Sequence, residues 1–141
     1  MFYFSKNSKQ LLDKGVHPDL VKLANEVIKI TPIDFSITET YRSNERQKQL
    51  YKQGKSKCDG VNIKSKHQIQ DKSGCVEAID ICPYINNKLD YEATNDLFII
   101  VGLFIAKAKE LNINIRVGVL WDNNSVKNNS FVDGYHIELK D

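Results

Sequence analysis

Between Ser65 and Asp80 the chain reads Ser-Lys-His-Gln-Ile-Gln-Asp-Lys-Ser-Gly-Cys-Val-Glu-Ala-Ile-Asp. Asp71-Lys72-Ser73-Gly74 is a turn signal with glycine last, and the short segments on either side can pair as strands. With Gln70 paired to Cys75, His67 falls opposite Ala78, and Asp80 lies one diagonal step away on the same face. Diagonal neighbours on an antiparallel pair are roughly 7–8 Å apart, within reach of two side chains converging on one point. An imidazole and a carboxylate meeting beside a small alanine supply two of the three protein ligands of a catalytic metal site. A surface hairpin carrying ordinary polar residues would read the same way, so this segment alone leaves both readings open.

The other chemistry-bearing stretch is Val132-Asp133-Gly134-Tyr135-His136-Ile137-Glu138-Leu139. Apolar Tyr135, Ile137 and Leu139 alternate with His136 and Glu138, the pattern of a half-buried strand. The alternation puts His136 on the polar face as a possible third ligand. Asp133 precedes it on a bend at Gly134, where a carboxylate could act as general base. Glu138 shares the face of His136; it is either a solvated strand residue or a carboxylate that orients the imidazole.

Taken together, Ser65-x-His67, Ala78-x-Asp80 and Asp133-Gly134-Tyr135-His136 resemble the zinc site of the D-alanyl-D-alanine metallopeptidase superfamily (VanY-like). That superfamily includes VanY-type carboxypeptidases and the phage endolysins of the L-alanyl-D-glutamate endopeptidase type. The closing Asp-Gly-x-His is the endolysin-like form. The resemblance extends to Tyr41-Arg42-Ser43, to Gln49-Leu50-Tyr51-x-x-Gly54, and to Gly118 and Trp121, so it covers most of the chain in order. It departs at one place: the family has seven positions from histidine to aspartate, whereas His67 and Asp80 are thirteen apart, and Val76 stands at the family's glycine. An even insertion lengthens a hairpin without moving side chains to the opposite face, so the expectation is an extended arm with its metal geometry kept.

The resemblance implies an α+β fold, a small central antiparallel sheet flanked by helices with a zinc site in a cleft on the sheet, as in Hedgehog and D-Ala-D-Ala peptidase domains. It implies one Zn2+ per chain on His67, Asp80 and His136, with Asp133 as general base and Arg42 balancing charge on the substrate. Ser65, Trp121 and Tyr135 are further substrate-binding candidates. The implied substrate is the bacterial peptidoglycan stem peptide, cleaved at L-Ala–D-Glu. The alternatives are a D-alanyl-D-alanine carboxypeptidase of the same superfamily and a zinc-containing binding module without catalysis, as in Hedgehog signalling domains. The presence of Asp133 and Arg42 argues against the last.

The rest of the chain must position these residues. With 141 residues, 41% hydrophobic and 27% charged, it reads as one peptidase domain, residues 1–141, without a separate wall-binding module. A net charge of +2 gives no argument for nucleic acid and suits an anionic wall polymer; a monomer without stable membrane association is expected. The longest apolar run, Leu97 to Ala106, is half the length a bilayer needs. Without a secretory signal, the expected itinerary is synthesis in the host cytoplasm and action on the wall after release across the inner membrane. Three cysteines suggest no disulfide framework; Cys82 shares the face of Asp80 and is expected to pack rather than ligate.

Helices are expected over Asn7 to Lys14, from His17-Pro18-Asp19 onward, from a Ser43 cap to Gly54, and over Tyr91 to Leu111, the last largely buried. Strands are expected at Phe35 to Tyr41, at Pro83 to Leu89 around a turn, and at Ile113 to Val117 as a central strand. Arg42, at a strand end, either points into the cleft or makes a surface ion pair. Lys55 to Ile63 reads as a loop over the site, Asp122 to Ser130 as an exposed one.

Overall fold

The computed structural model describes residues 1–118 and 135–141. Its elements run α1 (Lys6–Leu12), α2 (Pro18–Ile30), β1 (Phe35–Glu39), α3 (Asn44–Lys52), β2 (Ala78–Ile85), β3 (Lys88–Leu89), α4 (Thr94–Glu110), β4 (Ile115–Val117) and β5 (His136–Leu139). Asp133, Trp121 and the segment Asp122 to Ser130 lie outside the described residues.

Local chemistry explains the helix limits. Ser5 and Ser43 accept the N–H groups of Ser8 and Arg46, capping α1 and α3. His17 caps α2: its Nδ1 accepts the Asp19 N–H at 3.1 Å, with Pro18 in the first turn. Gly54, at φ +71°, follows α3 in a conformation that costs a glycine little. Between β2 and β3, Asn86 and Asn87 at φ 54° and 64° form the left-handed pair of a tight hairpin turn.

The strands form one antiparallel sheet in the order β1-β2-β5-β4, with β3 paired to β2. One face carries Ile37, Ile79, Ile81, Ile137 and Val117, all buried. It packs against α4, which contacts β2 and β4, while α1 lies on β1. Phe4, Phe35 and Phe104 join edge to face at centroid distances of 5.5 and 5.6 Å, tying the N-terminus, β1 and α4 into one core.

The opposite face is polar, and the register decides what stands on it. Asp80 is directly opposite His136, and Glu138 is opposite both Ala78 and Arg116. On the β1 side the register slips between Ile37 and Glu39, so that Glu39 rather than Thr38 faces Asp80. That bulge adds a carboxylate to the row.

Three expectations are corrected. β4 is not central: it lies at one end of the strand order, paired only to β5 among the described residues, and Ile113 precedes it. α4 is not buried on all sides: Leu97, Ile100, Val101, Phe104 and Ala108 face the core, but Ile99 and Ile105 are exposed. The 17-residue helix packs on the sheet and against α2, and the side that meets neither carries Ile99 and Ile105 to the surface. The third concerns the arm that carries His67, which is not a strand. A single bridge joins Ile69 to Val76, and Gln70 donates to the Cys75 carbonyl as expected. Beyond that, Gln68 N–H folds back to Ser65 O, and the Lys66 carbonyl takes the Glu77 N–H. Side chains complete this turn: Ser65 Oγ accepts from His67 N–H, and Gln68 Oε1 accepts from Ser65 N–H. Polar side chains that satisfy nearby backbone groups compete with ladder formation, and here they win. The tip, Asp71 to Gly74, is exposed as expected.

Candidate metal centre

His67, Asp80 and His136 nevertheless meet. His67 Nε2 lies 3.1 Å from Asp80 Oδ1 and 3.2 Å from His136 Nδ1, and His136 Nδ1 lies 3.2 Å from Asp80 Oδ1. Each comes from a different local structure: Asp80 from the third position of β2, His136 from the start of β5, and His67 from the side-chain-bonded turn. Both imidazoles are almost fully buried.

The outer partners fix which atoms face inward. His67 Nδ1 is 2.7 Å from the Thr40 carbonyl, which can only accept, so Nδ1 carries the hydrogen and Nε2 presents a lone pair. His136 Nε2 is 2.7 Å from Glu138 Oε1, so its hydrogen points outward and Nδ1 faces the cluster. Two imidazole lone pairs and a carboxylate oxygen then converge, an arrangement that repels itself unless a cation or proton lies among them. Electrostatics point the same way. Burial alone would raise the Asp80 carboxyl, but hydrogen bonds from His136 and His67 hold it well below the usual carboxylate range. Burial opposes a charged His136, yet Asp80 and Glu138 outweigh it and push the imidazole up to about 9.

The three atoms fit a metal ion. Tetrahedral zinc, with bonds of about 2.0–2.1 Å to nitrogen and oxygen, sets its ligand atoms roughly 3.3 Å apart; the triangle here has edges of 3.1 to 3.2 Å. An outer carbonyl or carboxylate on the far nitrogen of each histidine is the usual support for such a ligand. Glu138 thus orients His136 rather than facing water. Among the described residues, His67, Asp80 and His136 form the only group of this kind. Cys82 is fully buried outside it, and burial pushes its thiol up to about 11, so it packs as expected.

Beside the cluster lies a cavity of about 490 Å³, lined by His67, His136, Ser65 and Arg42 together with Glu39 and Glu138 from the sheet and residues 55–58 from the loop after α3. Arg42 faces this cavity and makes an ion pair as well: Nε donates to Glu39 Oε1 at 2.7 Å, and Nη1 donates to Gln47 Oε1 at 2.9 Å. Its backbone N–H donates to the His67 carbonyl, which ties the arginine backbone to the turn that carries His67. Ser65 lines the cavity while its hydroxyl accepts from His67 N–H. Tyr135 stands apart from the cavity lining: its ring packs edge to face on Tyr91, and its hydroxyl donates to the Tyr91 carbonyl. The expected loop over the site is present and folded on itself, with Asp59 Oδ1 accepting three successive N–H groups, from Val61, Asn62 and Ile63.

Two residues that sequence reading passed over prove central. Gln47 and Gln68 are fully buried, and each bonds through both ends of its amide. Gln68 joins Ser65, Asn44 and Gly60; Gln47 joins Arg42, Ser56 and Cys58. Glutamines on helices and loops normally face water, and no periodicity marks them as buried.

An antiparallel sheet flanked by helices, with a two-histidine, one-aspartate cluster on its polar face, defines a candidate metallohydrolase of the α+β type. The model of the phage L-alanyl-D-glutamate peptidase family matches residues 1–140. The L-alanyl-D-glutamate peptidase of Escherichia phage T5 is 33% identical over 143 residues, covering 98% of each chain. The crystal structure of the Serratia marcescens L-Ala D-Glu endopeptidase ChiX superposes with a TM-score of 0.77 at 24% identity, over 98% of this chain and 90% of that one, a likeness of fold. The chain belongs to the phage L-alanyl-D-glutamate peptidase family.

Proposed function

We propose that this chain is a zinc-dependent endopeptidase that hydrolyses the L-Ala–D-Glu bond of peptidoglycan stem peptides, acting as a phage or prophage endolysin. The convergence of three inward lone-pair donors, with the outward N–H groups of both histidines held by Thr40 and Glu138, carries the metal assignment. Family membership carries the substrate and favours the endopeptidase over a carboxypeptidase. His67, Asp80 and His136 would hold one ion. Bound zinc would supply a water of lowered pKa and a Lewis acid for the scissile carbonyl.

The chain's own residues do the rest. Asp133, three positions before His136, takes the water proton and delivers it to the leaving amine. Arg42, held at Nε and Nη1, lines the cavity. There it can bind the free α-carboxylate of D-glutamate or the carbonyl oxygen as charge develops. Ser65 supports His67, and Glu138 keeps His136 in the tautomer that faces inward. No helix among the described residues is long and apolar enough to cross a membrane, in keeping with an enzyme that works on the wall itself.

Purified protein incubated with defined wall fragments should release free L-Ala carboxyl and D-Glu amine ends, read by mass spectrometry, and a chelator should stop the reaction. Asp133→Asn should keep about one zinc per chain yet lose on the order of 10²–10⁴-fold in turnover. Products cut at another bond would overturn the substrate, and a zinc-loaded Asp133→Asn protein of normal turnover would move the base elsewhere.

A further inference from the structure

Gln47 lies in the middle of α3, one turn after Ser43, and is fully buried. Its amide orientation is unambiguous. The Arg42 guanidinium has only hydrogens to give, so Oε1 must face it. The Cys58 carbonyl only accepts, so Nε2 must face that, at 2.7 Å, with Ser56 Oγ at 3.0 Å. One side chain therefore ties the arginine on one wall of the cavity to the loop that forms another. The loop approaches closely enough that a Cβ on Gly60, itself at φ +85°, would stand 3.1 Å from Gln47 Cγ. Glu39 fixes Nε of Arg42 and Gln47 fixes Nη1, and no hydrogen bond to Nη2 is present among the described residues. A guanidinium held at two of its three nitrogens cannot swing about its long stem, and its third nitrogen is aimed in one direction.

We infer that Gln47 is a positioning residue for the peptidase reaction, acting through Arg42 by fixing the guanidinium edge presented to the substrate. The inference rests on the role of Arg42 in the reading above. A helix residue that served the fold alone would have no reason to depend on which side chain stands at position 42, and that dependence is the test. Misplacing a positioned group by about 1 Å can cost on the order of 10²-fold in rate.

The experiment is a double-mutant cycle on a defined stem-peptide substrate, with parent, Arg42→Ala, Gln47→Met and the double variant. Each is checked for zinc content and for its melting temperature. Gln47→Met keeps length and helix preference but loses both amide ends. Gln47→Glu is the second variant: it keeps an acceptor for Arg42 and gives up the donor to Cys58. The expected results are a loss of about 10- to 100-fold in kcat/KM for Gln47→Met with zinc intact, appearing in the same parameter, kcat or KM, as the loss from Arg42→Ala. Gln47→Met should cost less than about threefold once Arg42 is alanine, and Gln47→Glu should remain within about threefold of the parent. Equal losses from Gln47→Met in both backgrounds would overturn the inference, as would a zinc-loaded Gln47→Glu protein more than about tenfold impaired, a fully active Gln47→Met, or a fully active Arg42→Ala. If Gln47→Met does not fold, the Gln47→Glu outcome decides alone. Failure of the parent to cut L-Ala–D-Glu is seen before any variant is compared, and it sinks the reading itself and this inference with it.

Discussion

The two histidines of the cluster are placed by opposite means. His136 sits in β5, where ladder bonds to β2 and β4 fix the backbone and a register partner, Asp80, stands directly across. Its far nitrogen is held by Glu138, two residues along the same strand face. His67 sits in no strand. Its turn is closed by Ser65 and Gln68 side chains, its far nitrogen is held by the Thr40 carbonyl from the end of β1, and its own carbonyl is held by Arg42. One histidine is placed by a repeating backbone pattern and the other by a set of buried polar side chains. A ladder spreads its hold over many bonds, so one substitution loosens it little. A polar network is strong only while every member is satisfied.

The largest effect should come from removing the residue that both histidines share. Asp80→Ala should take zinc content from about one per chain to near zero and abolish peptide cleavage, measured by metal analysis and mass spectrometry of products. Retention of stoichiometric zinc would show that the two histidines hold the ion without a carboxylate between them.

Next, the turn should be more fragile than the ladder. Gln68→Leu strands the Ser65 N–H and releases Asn44 and Gly60, and unsatisfied buried groups cost about 1–3 kcal/mol. Thermal melts should fall by several degrees, with zinc affinity falling alongside. Glu138→Ala, on the ladder side, should leave the melt nearly unchanged and weaken zinc by roughly 10- to 100-fold. The comparison breaks if Glu138→Ala unfolds the chain and Gln68→Leu does not.

The smallest effect concerns the seam between the two regions. Glu77 gives its N–H to Lys66 O and its carbonyl to Leu139 N–H, and its carboxylate meets Lys66 Nζ at 2.8 Å. Burial alone would raise the Glu77 carboxyl, but Lys66, helped by a hydrogen bond from Ser73, outweighs it and the carboxyl lies below its ordinary 4.5. A depressed folded-state value gives stability that is present above the ordinary value and lost as pH falls through the depressed one. Between about pH 5 and pH 3, the melting temperature of the parent should drop more than that of Glu77→Gln. Parallel curves would show that the ion pair adds nothing to joining turn and strand.

Much of the ladder side was legible. Alternation from Tyr135 to Leu139 put His136 and Glu138 on one face, and both are there. Ser43 and His17 announced their helices because capping is local chemistry between residues two or three apart. The turn side was half legible. His67 and Asp80 were rightly expected to meet, but the proposed reason, an even-numbered extension of a paired arm, is not what brings them together. Ser65 and Gln68 take the backbone bonds that a strand would have used. Whether a polar side chain faces water or a neighbour's backbone depends on partners distant in sequence, and no window of residues contains that information.

By itself, then, the sequence pointed to the family, to His67, Asp80 and His136 as converging side chains, and to the strand that carries His136, because motif identity and local alternation are written in the residues themselves. Only the tertiary structure decided the turn under His67, the bulge that turns Glu39 toward Asp80, the edge place of β4, and the burial of Gln47 and Gln68. Those depend on which backbone groups are left unpaired once the whole sheet has formed, and that is settled by the packed chain rather than by any segment of it.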